Sequence, residues 1–146
     1  SVWVSRLVPP EMAIIGLMHD APEAFVGDMP KPLKEELPDY QAVEDRVERA
    51  VFAAFNLPLP LPKEVKVADR VMLATEQFQI MKNNHDWKWT RGTERADIEI
   101  ACLGPDDAYA FFMERAAELG MTGSCGGIDE RSAFVCGMAG ESDGTV

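Results

Sequence analysis

Met12-Ala13-Ile14-Ile15-Gly16-Leu17-Met18 is an unbroken apolar run that ends in His19-Asp20. Seven consecutive apolar residues leave no polar face, so a helix here must be buried on nearly every side. Its last turn nevertheless carries an imidazole and a carboxylate, and Glu23 follows within a turn. Buried charge is costly unless it is paired or coordinates a metal. The run therefore predicts the centre of a helical core whose polar end can hold an ion. Read locally, a helix-end ion pair around Asp20 with a satisfied histidine explains the same residues equally well.

Prolines punctuate the chain around this run. Val2 to Val8 reads as the tail of a helix closed by Pro9-Pro10, because the residue before a proline is pushed out of the α region. Pro10 and Glu11 suit the first turn of the next helix, which is expected to reach about Phe25. The stretch from Gly27 to Pro32 is too proline-dense for a regular element. Asp39 to Phe55 predicts an amphipathic helix with Val43, Val47, Ala50, Val51 and Ala54 at helical spacing. Lys63 to Met81 predicts another, and Asp106 to Leu119 a last one with Tyr109, Phe112, Met113 and Ala116 on its apolar face. Residues 82–105 are less regular. From Gly120 onward seven of the eleven glycines crowd together, which predicts a flexible tail over 120–146 with at most a short helix near Asp129 to Met138. No strand alternation or internal repeat is visible, so the expected fold is all-α: one domain over 1–119, about five helices, and a tail.

Composition narrows the function. A net charge of -11 disfavours nucleic-acid polymers and anionic membranes, both of which call for basic patches. It leaves room for a small anionic substrate, since a metal and a few lysines can reverse the field inside a pocket. No apolar stretch is long enough for a membrane span and no secretory signal is visible. Three cysteines without a CxxC pair, and two histidines, exclude a zinc-finger-type site and make a reducing cytoplasm the default compartment.

Asp69 turns the His19-Asp20 pair toward a metal site. It lies on the stripe Val65, Ala68, Met72 of the 63–81 helix, where an unpaired carboxylate is badly placed. A helix pair with Lys66 is the bland alternative. With His19 and Asp20 it forms a set of hard and borderline ligands suited to octahedral Co²⁺, Mn²⁺ or Mg²⁺ more than tetrahedral Zn²⁺. Glu23, i+4 from His19 and i+3 from Asp20, can reach a water at such an ion without being a ligand. His85-Asp86 is a second such dipeptide, but its polar surroundings read as a solvent-facing loop. Trp87 and Trp89 could stack on a base, though packing of their loop on the helices is the simpler reading. Arg70 and Glu76 read as helix-surface or oligomer contacts.

Residues His19 to Lys34, HDAPEAFVGDMPKPLK, followed by Val65 to Glu76, VKVADRVMLATE, resemble the motifs of HD-domain phosphohydrolases. The similarity is to the small 5'-deoxynucleotidases and the related phage dATP triphosphohydrolases, and it extends over most of 1–119. It implies metal ligands in the order His, His-Asp, Asp, with His19, Asp20 and Asp69 as the last three. It implies Glu23 as the acid/base residue, Asp28 as the acidic residue that shapes the catalytic centre, and Lys34 and Lys66 as contacts to substrate phosphate. The first histidine of the pattern is expected just upstream of Ser1, so the chain as it stands is expected to bind metal weakly and turn over slowly. The resemblance also implies a homo-oligomer.

These residues predict a divalent-metal-dependent hydrolase of deoxynucleotides. The ion would neutralise phosphate charge and acidify its bound water, with Glu23 moving the proton. Phosphate release from a deoxynucleoside monophosphate is the first expectation. Tripolyphosphate release from a dATP-type triphosphate is the alternative. A nucleotide-binding or regulatory domain that has lost catalysis is the third.

Overall fold

In a computed structural model, residues 1–82 and 85–121 are described, and their regular structure is all helical, with no strand among them. The possible helix near Asp129 to Met138 and nearly all of the glycine-rich stretch lie outside the described residues. Seven α-helices follow in order: α1 (Val2–Leu7), α2 (Ala13–Met18), α3 (Glu23–Val26), α4 (Lys31–Glu35), α5 (Pro38–Ala54), α6 (Lys63–Gln79) and α7 (Pro105–Glu118), with a 3-10 turn at Pro10–Met12. Among the described residues no helix is long and apolar enough to cross a membrane.

The apolar run is the centre of the fold. Ala13, Ile15, Gly16, Leu17 and Met18 are all buried, and α2 packs along α1, which also touches α6 and α7. One core cluster joins Val4, Val8 and Ile15 to Phe52 of α5 and Val65, Ala68 and Met72 of α6. A second joins Val2 and Leu17 to Ala116 of α7. The α1–α2 crossing is close: a Cβ on Gly16 would stand 3.1 Å from the Ser5 Cα and 3.1 Å from a Val8 methyl. The Ser5 backbone cannot give way as a flexible side chain can. Gly16→Ala is therefore expected to destabilise by about 1–3 kcal/mol through overpacking, and Gly16→Val by more; urea unfolding monitored by circular dichroism measures both.

The helix expected to run unbroken to Phe25 stops at Met18 and restarts at Glu23. Pro22 has no N–H to bond the Met18 carbonyl, and the Ala21 N–H takes that acceptor instead at 3.0 Å. Tight turns over 19–22 result, with the Glu23 N–H on the Asp20 carbonyl at 2.9 Å. Gly27, at φ +82°, closes α3 by donating to the Glu23 carbonyl. The proline-rich stretch beyond it holds a short helix that the sequence reading did not anticipate. Pro32 sits in the first turn of α4, where a missing N–H costs nothing.

Two predicted apolar faces are also corrected. On α5 only Phe52 is buried; Val47 and Val51 are half-buried, while Val43, Ala50 and Ala54 are exposed. Periodicity marks an apolar stripe but not how much of it a neighbour covers. On α7, Ala116 is buried and Phe111 and Phe112 are half-buried, whereas Tyr109 and Met113 face outward. The helix is rotated because Arg115 is anchored to α1: its Nε–H donates to Ser5 Oγ at 2.8 Å and a terminal N–H to the Ser5 carbonyl at 3.1 Å.

The irregular segment after α6 has no ladder partner, so side chains of α6 satisfy its backbone. Gln79 donates to the Ile98 carbonyl at 2.6 Å and accepts from the Ile100 N–H at 2.9 Å. Thr75 Oγ1 accepts from the Ala96 N–H at 3.0 Å, and Gln77 donates to the His85 carbonyl at 2.7 Å. This binding carries Ile100, Ala101 and Leu103 to the rim of the cleft described next.

Candidate functional site

A cleft of about 850 Å³ opens where α1, the 19–22 turns, α4, α6 and α7 meet. His19, Asp20, Glu23, Asp28, Lys34 and Asp69 all line it. Segments some forty residues apart are thus brought together by the packing of α1 and α2 on α6. Lys66, expected with them, is outside this lining; it is exposed, and its charge acts on Glu48 of α5.

His19 is the buried member. Its Nδ1–H donates to the Gly16 carbonyl at 2.9 Å, a bond made possible by the end of α2. A carbonyl only accepts, so Nδ1 carries a proton in this bond and Nε2 is the ring atom turned toward Asp20 and Asp69. Nε2 is buried and, among the described residues, has no hydrogen-bond partner. It lies 3.0 Å from Asp20 Oδ2 and 3.5 Å from Asp69 Oδ1. Three acceptor atoms facing one another repel unless a cation or proton stands among them. No group of three or more histidine, cysteine, aspartate and glutamate side chains among the described residues is preassembled to hold a metal ion. The two carboxylates, with side chains 42% and 57% exposed, are free to turn. Asp69 is therefore at the edge of its helix's buried stripe and not within it. The His19 ring beside it holds its carboxyl below the usual carboxylate range.

Glu23 opens α3 at the other side of Asp20. Burial, reinforced by Asp20 and Asp28, pushes its carboxyl up to about 7. It can therefore hold or release a proton near neutrality, as a general acid or base must. Lys34 reaches over from α4 and is ion-paired to Glu44 of α5. Burial opposes its charge, but the Glu44 carboxylate outweighs that and raises its pKa. Asp28 is exposed on the cleft side of the turn after Gly27.

The cleft contains residues that the sequence reading passed over. Lys31, one turn before Lys34, lines it and is exposed; the short helix α4, which sets that spacing, was unforeseen. Glu76 lines it too, although the sequence placed it among surface contacts. Its signal was available: seven residues after Asp69 is two helical turns, the same face. Trp3, Phe111 and Phe112 form an aromatic wall, with Trp3 and Phe111 edge to face at 6.1 Å. Their meeting depends on α7 folding back on α1 and has no local signature. The second dipeptide, His85-Asp86, is in an exposed loop as expected, with Asp86 held by Arg91 at 3.0 and 2.7 Å. Trp87 and Trp89 are half-buried in that loop, away from the cleft.

The model of the 5'-deoxynucleotidase YfbR-like family matches residues 3–99. The chain belongs to that family. The YfbR-like match takes in His19, Asp20, Glu23, Asp28, Lys34, Asp69 and Glu76, and leaves out the α7 wall and the rim at Ile100, Ala101 and Leu103. The chain is similar to the uncharacterized protein YfdR of Escherichia coli (strain K12), with 37% identity over 127 residues, 86% of this chain and 71% of that protein. It is also similar to an uncharacterized protein of Rhodobacter capsulatus, 39% identical over 72 residues, which are 46% of this chain and 37% of the relative. No solved structure matches. Membership of the YfbR-like family makes the chain a hydrolase of the HD-domain phosphohydrolase type with a nucleotide substrate.

Proposed function

We propose that this chain is a divalent-metal-dependent 5'-deoxynucleotidase that releases phosphate from deoxynucleoside monophosphates. The observation that carries the reading is the buried, unpartnered His19 Nε2 facing Asp20 and Asp69. His19, Asp20 and Asp69 would hold the ion, and Co²⁺, Mn²⁺ or Mg²⁺ suits this mixed imidazole and carboxylate set. When bound, the ion supplies neutralisation of phosphate charge and acidification of water. The Gly16 carbonyl keeps the proton on Nδ1 and so keeps Nε2 a ligand.

The remaining steps belong to the protein's own groups. Glu23 takes a proton from the attacking water or returns one to the leaving 5'-oxygen. Lys34, its charge shared with Glu44, and Lys31, in the place expected of Lys66, attract the phosphate oxygens. Asp28, which also lines the cleft, adds negative charge near Glu23 and opposes further negative charge on the substrate. The wall of Trp3, Phe111 and Phe112 offers apolar surface to the nucleoside.

Product analysis with dAMP and dATP in the presence of Co²⁺ or Mn²⁺ tests this. Orthophosphate from dAMP, and none of it in a chelator, is the expected result. Tripolyphosphate from dATP without orthophosphate from dAMP would replace the monophosphatase reading. Binding of dAMP with no product from either would favour a regulatory domain.

A further inference from the structure

The α6 wall of the cleft carries one acidic side chain that the proposed chemistry does not use. Glu76 follows Asp69 by two helical turns, about 10 Å along the axis, and both line the cleft. Between them the wall is Met72 and Leu73, and Phe112 of α7 lines the cleft as well. Glu76 is half-buried in these surroundings, yet among the described residues it has no hydrogen-bond or ion-pair partner. Burial pushes its carboxyl up; the Ser1 amino group opposes this and the Asp69 and Asp20 carboxylates add to it. A carboxylate only partly open to water and without a protein donor gains from a ligand that brings an O–H or N–H.

Distance and direction say which part of a ligand that would be. With the phosphate at the His19–Asp69 end, the rest of a nucleotide extends along α6 over Met72 and Leu73. Its hydrogen-bond donors are then carried toward Glu76. We propose that Glu76 is a specificity residue that accepts a hydrogen bond from the nucleoside, either the sugar 3'-hydroxyl or a base N–H. The assignment rests on the reading that the cleft holds a nucleotide. It gives the site a means of rejecting phosphate esters that lack such a donor, because the carboxyl would then stay unpaired.

Calorimetric titration in Mn²⁺, with every protein also carrying Glu23→Gln so that dAMP is not consumed, tests the assignment without requiring turnover. The ligands are dAMP, its 2',3'-dideoxy analogue and deoxyribose 5-phosphate, which lacks the base. The proteins are otherwise wild type, Glu76→Leu and the isosteric Glu76→Gln, each checked for folding by circular dichroism. For dAMP, Glu76→Leu is expected to raise Kd by about tenfold to a hundredfold, with Glu76→Gln between it and wild type. That penalty should vanish for the dideoxy analogue if the sugar hydroxyl is the donor, or for deoxyribose 5-phosphate if the base is. Wild-type protein that binds dAMP, with variants that bind it equally well or that lose equally for all three ligands, overturns the role of Glu76 alone. Wild-type protein that binds none of them overturns the nucleotide reading and this assignment with it.

Discussion

His19→Ala is expected to reduce phosphate release by about 10³-fold or more, the loss of several kcal/mol of charge stabilisation. The side chain is buried, so its removal also vacates core volume and frees the Gly16 carbonyl. A fall in activity alone would not separate a lost ligand from a loosened fold. The decisive measurement is the rise in Tm on adding Mn²⁺, which mass action ties to binding by the native state. Wild type should show it and His19→Ala should not. Asp69→Asn, a change at an exposed carboxylate on the rigid helix α6, should lose the same rise while keeping the wild-type Tm in chelator. Equal Mn²⁺ shifts in all three proteins would sink the assignment of these residues to a metal.

Glu23→Gln is the second large effect, a loss of about 10²- to 10⁴-fold in kcat with the fold intact. Wild-type kcat/KM should rise with pH through an inflection near 7 if Glu23 acts as the base, and the variant should have lost that inflection. A bound cation favours the carboxylate, so the inflection should move downward as the metal is loaded. The same group predicts a stability slope in the metal-free protein. Below about 4.5 folded and unfolded chains both hold the proton. Between 4.5 and about 7 the folded chain binds more protons than the unfolded one, so stability falls as pH rises. Above 7 both have released it and the slope ends. Glu23→Gln should flatten this slope, leaving the smaller part due to the other raised carboxyls, Glu48 and Glu76. Urea midpoints from pH 4 to 8 measure it; a variant with the full wild-type slope would show that Glu23 is not a raised group.

The contrast between Glu23 and Glu76 shows what local sequence could and could not carry. Glu23 lines the cleft beside His19-Asp20, as its place within a turn of them led one to expect, because i+3 and i+4 spacing is a local matter. Glu76 has the same chemistry, and its relation to Asp69 is equally periodic. Its burial comes from elements far along the chain, however, and without them a helix-surface reading was the natural one. Lys31 and Lys66 reverse in a similar way. The helix α4, set by Pro30 and Pro32, brings Lys31 round to the cleft, while α6 turns Lys66 toward Glu48.

By itself the sequence determined the helical fold, the burial of most of the 12–18 run and the nearness of Glu23 to His19-Asp20. Apolar periodicity, proline breaks and the cost of buried charge are properties of short stretches, and they suffice for that much. Only the tertiary structure decided that His19 points Nε2 into a cleft, because that follows from the break Pro22 makes at the end of α2. Only it decided which faces of α5 and α7 are covered, and that Trp3, Phe111, Lys31 and Glu76 share the cleft with the ligand set. Those contacts join residues up to about a hundred positions apart. Their geometry comes from close packing of α1 against α2, α6 and α7, which no local pattern encodes.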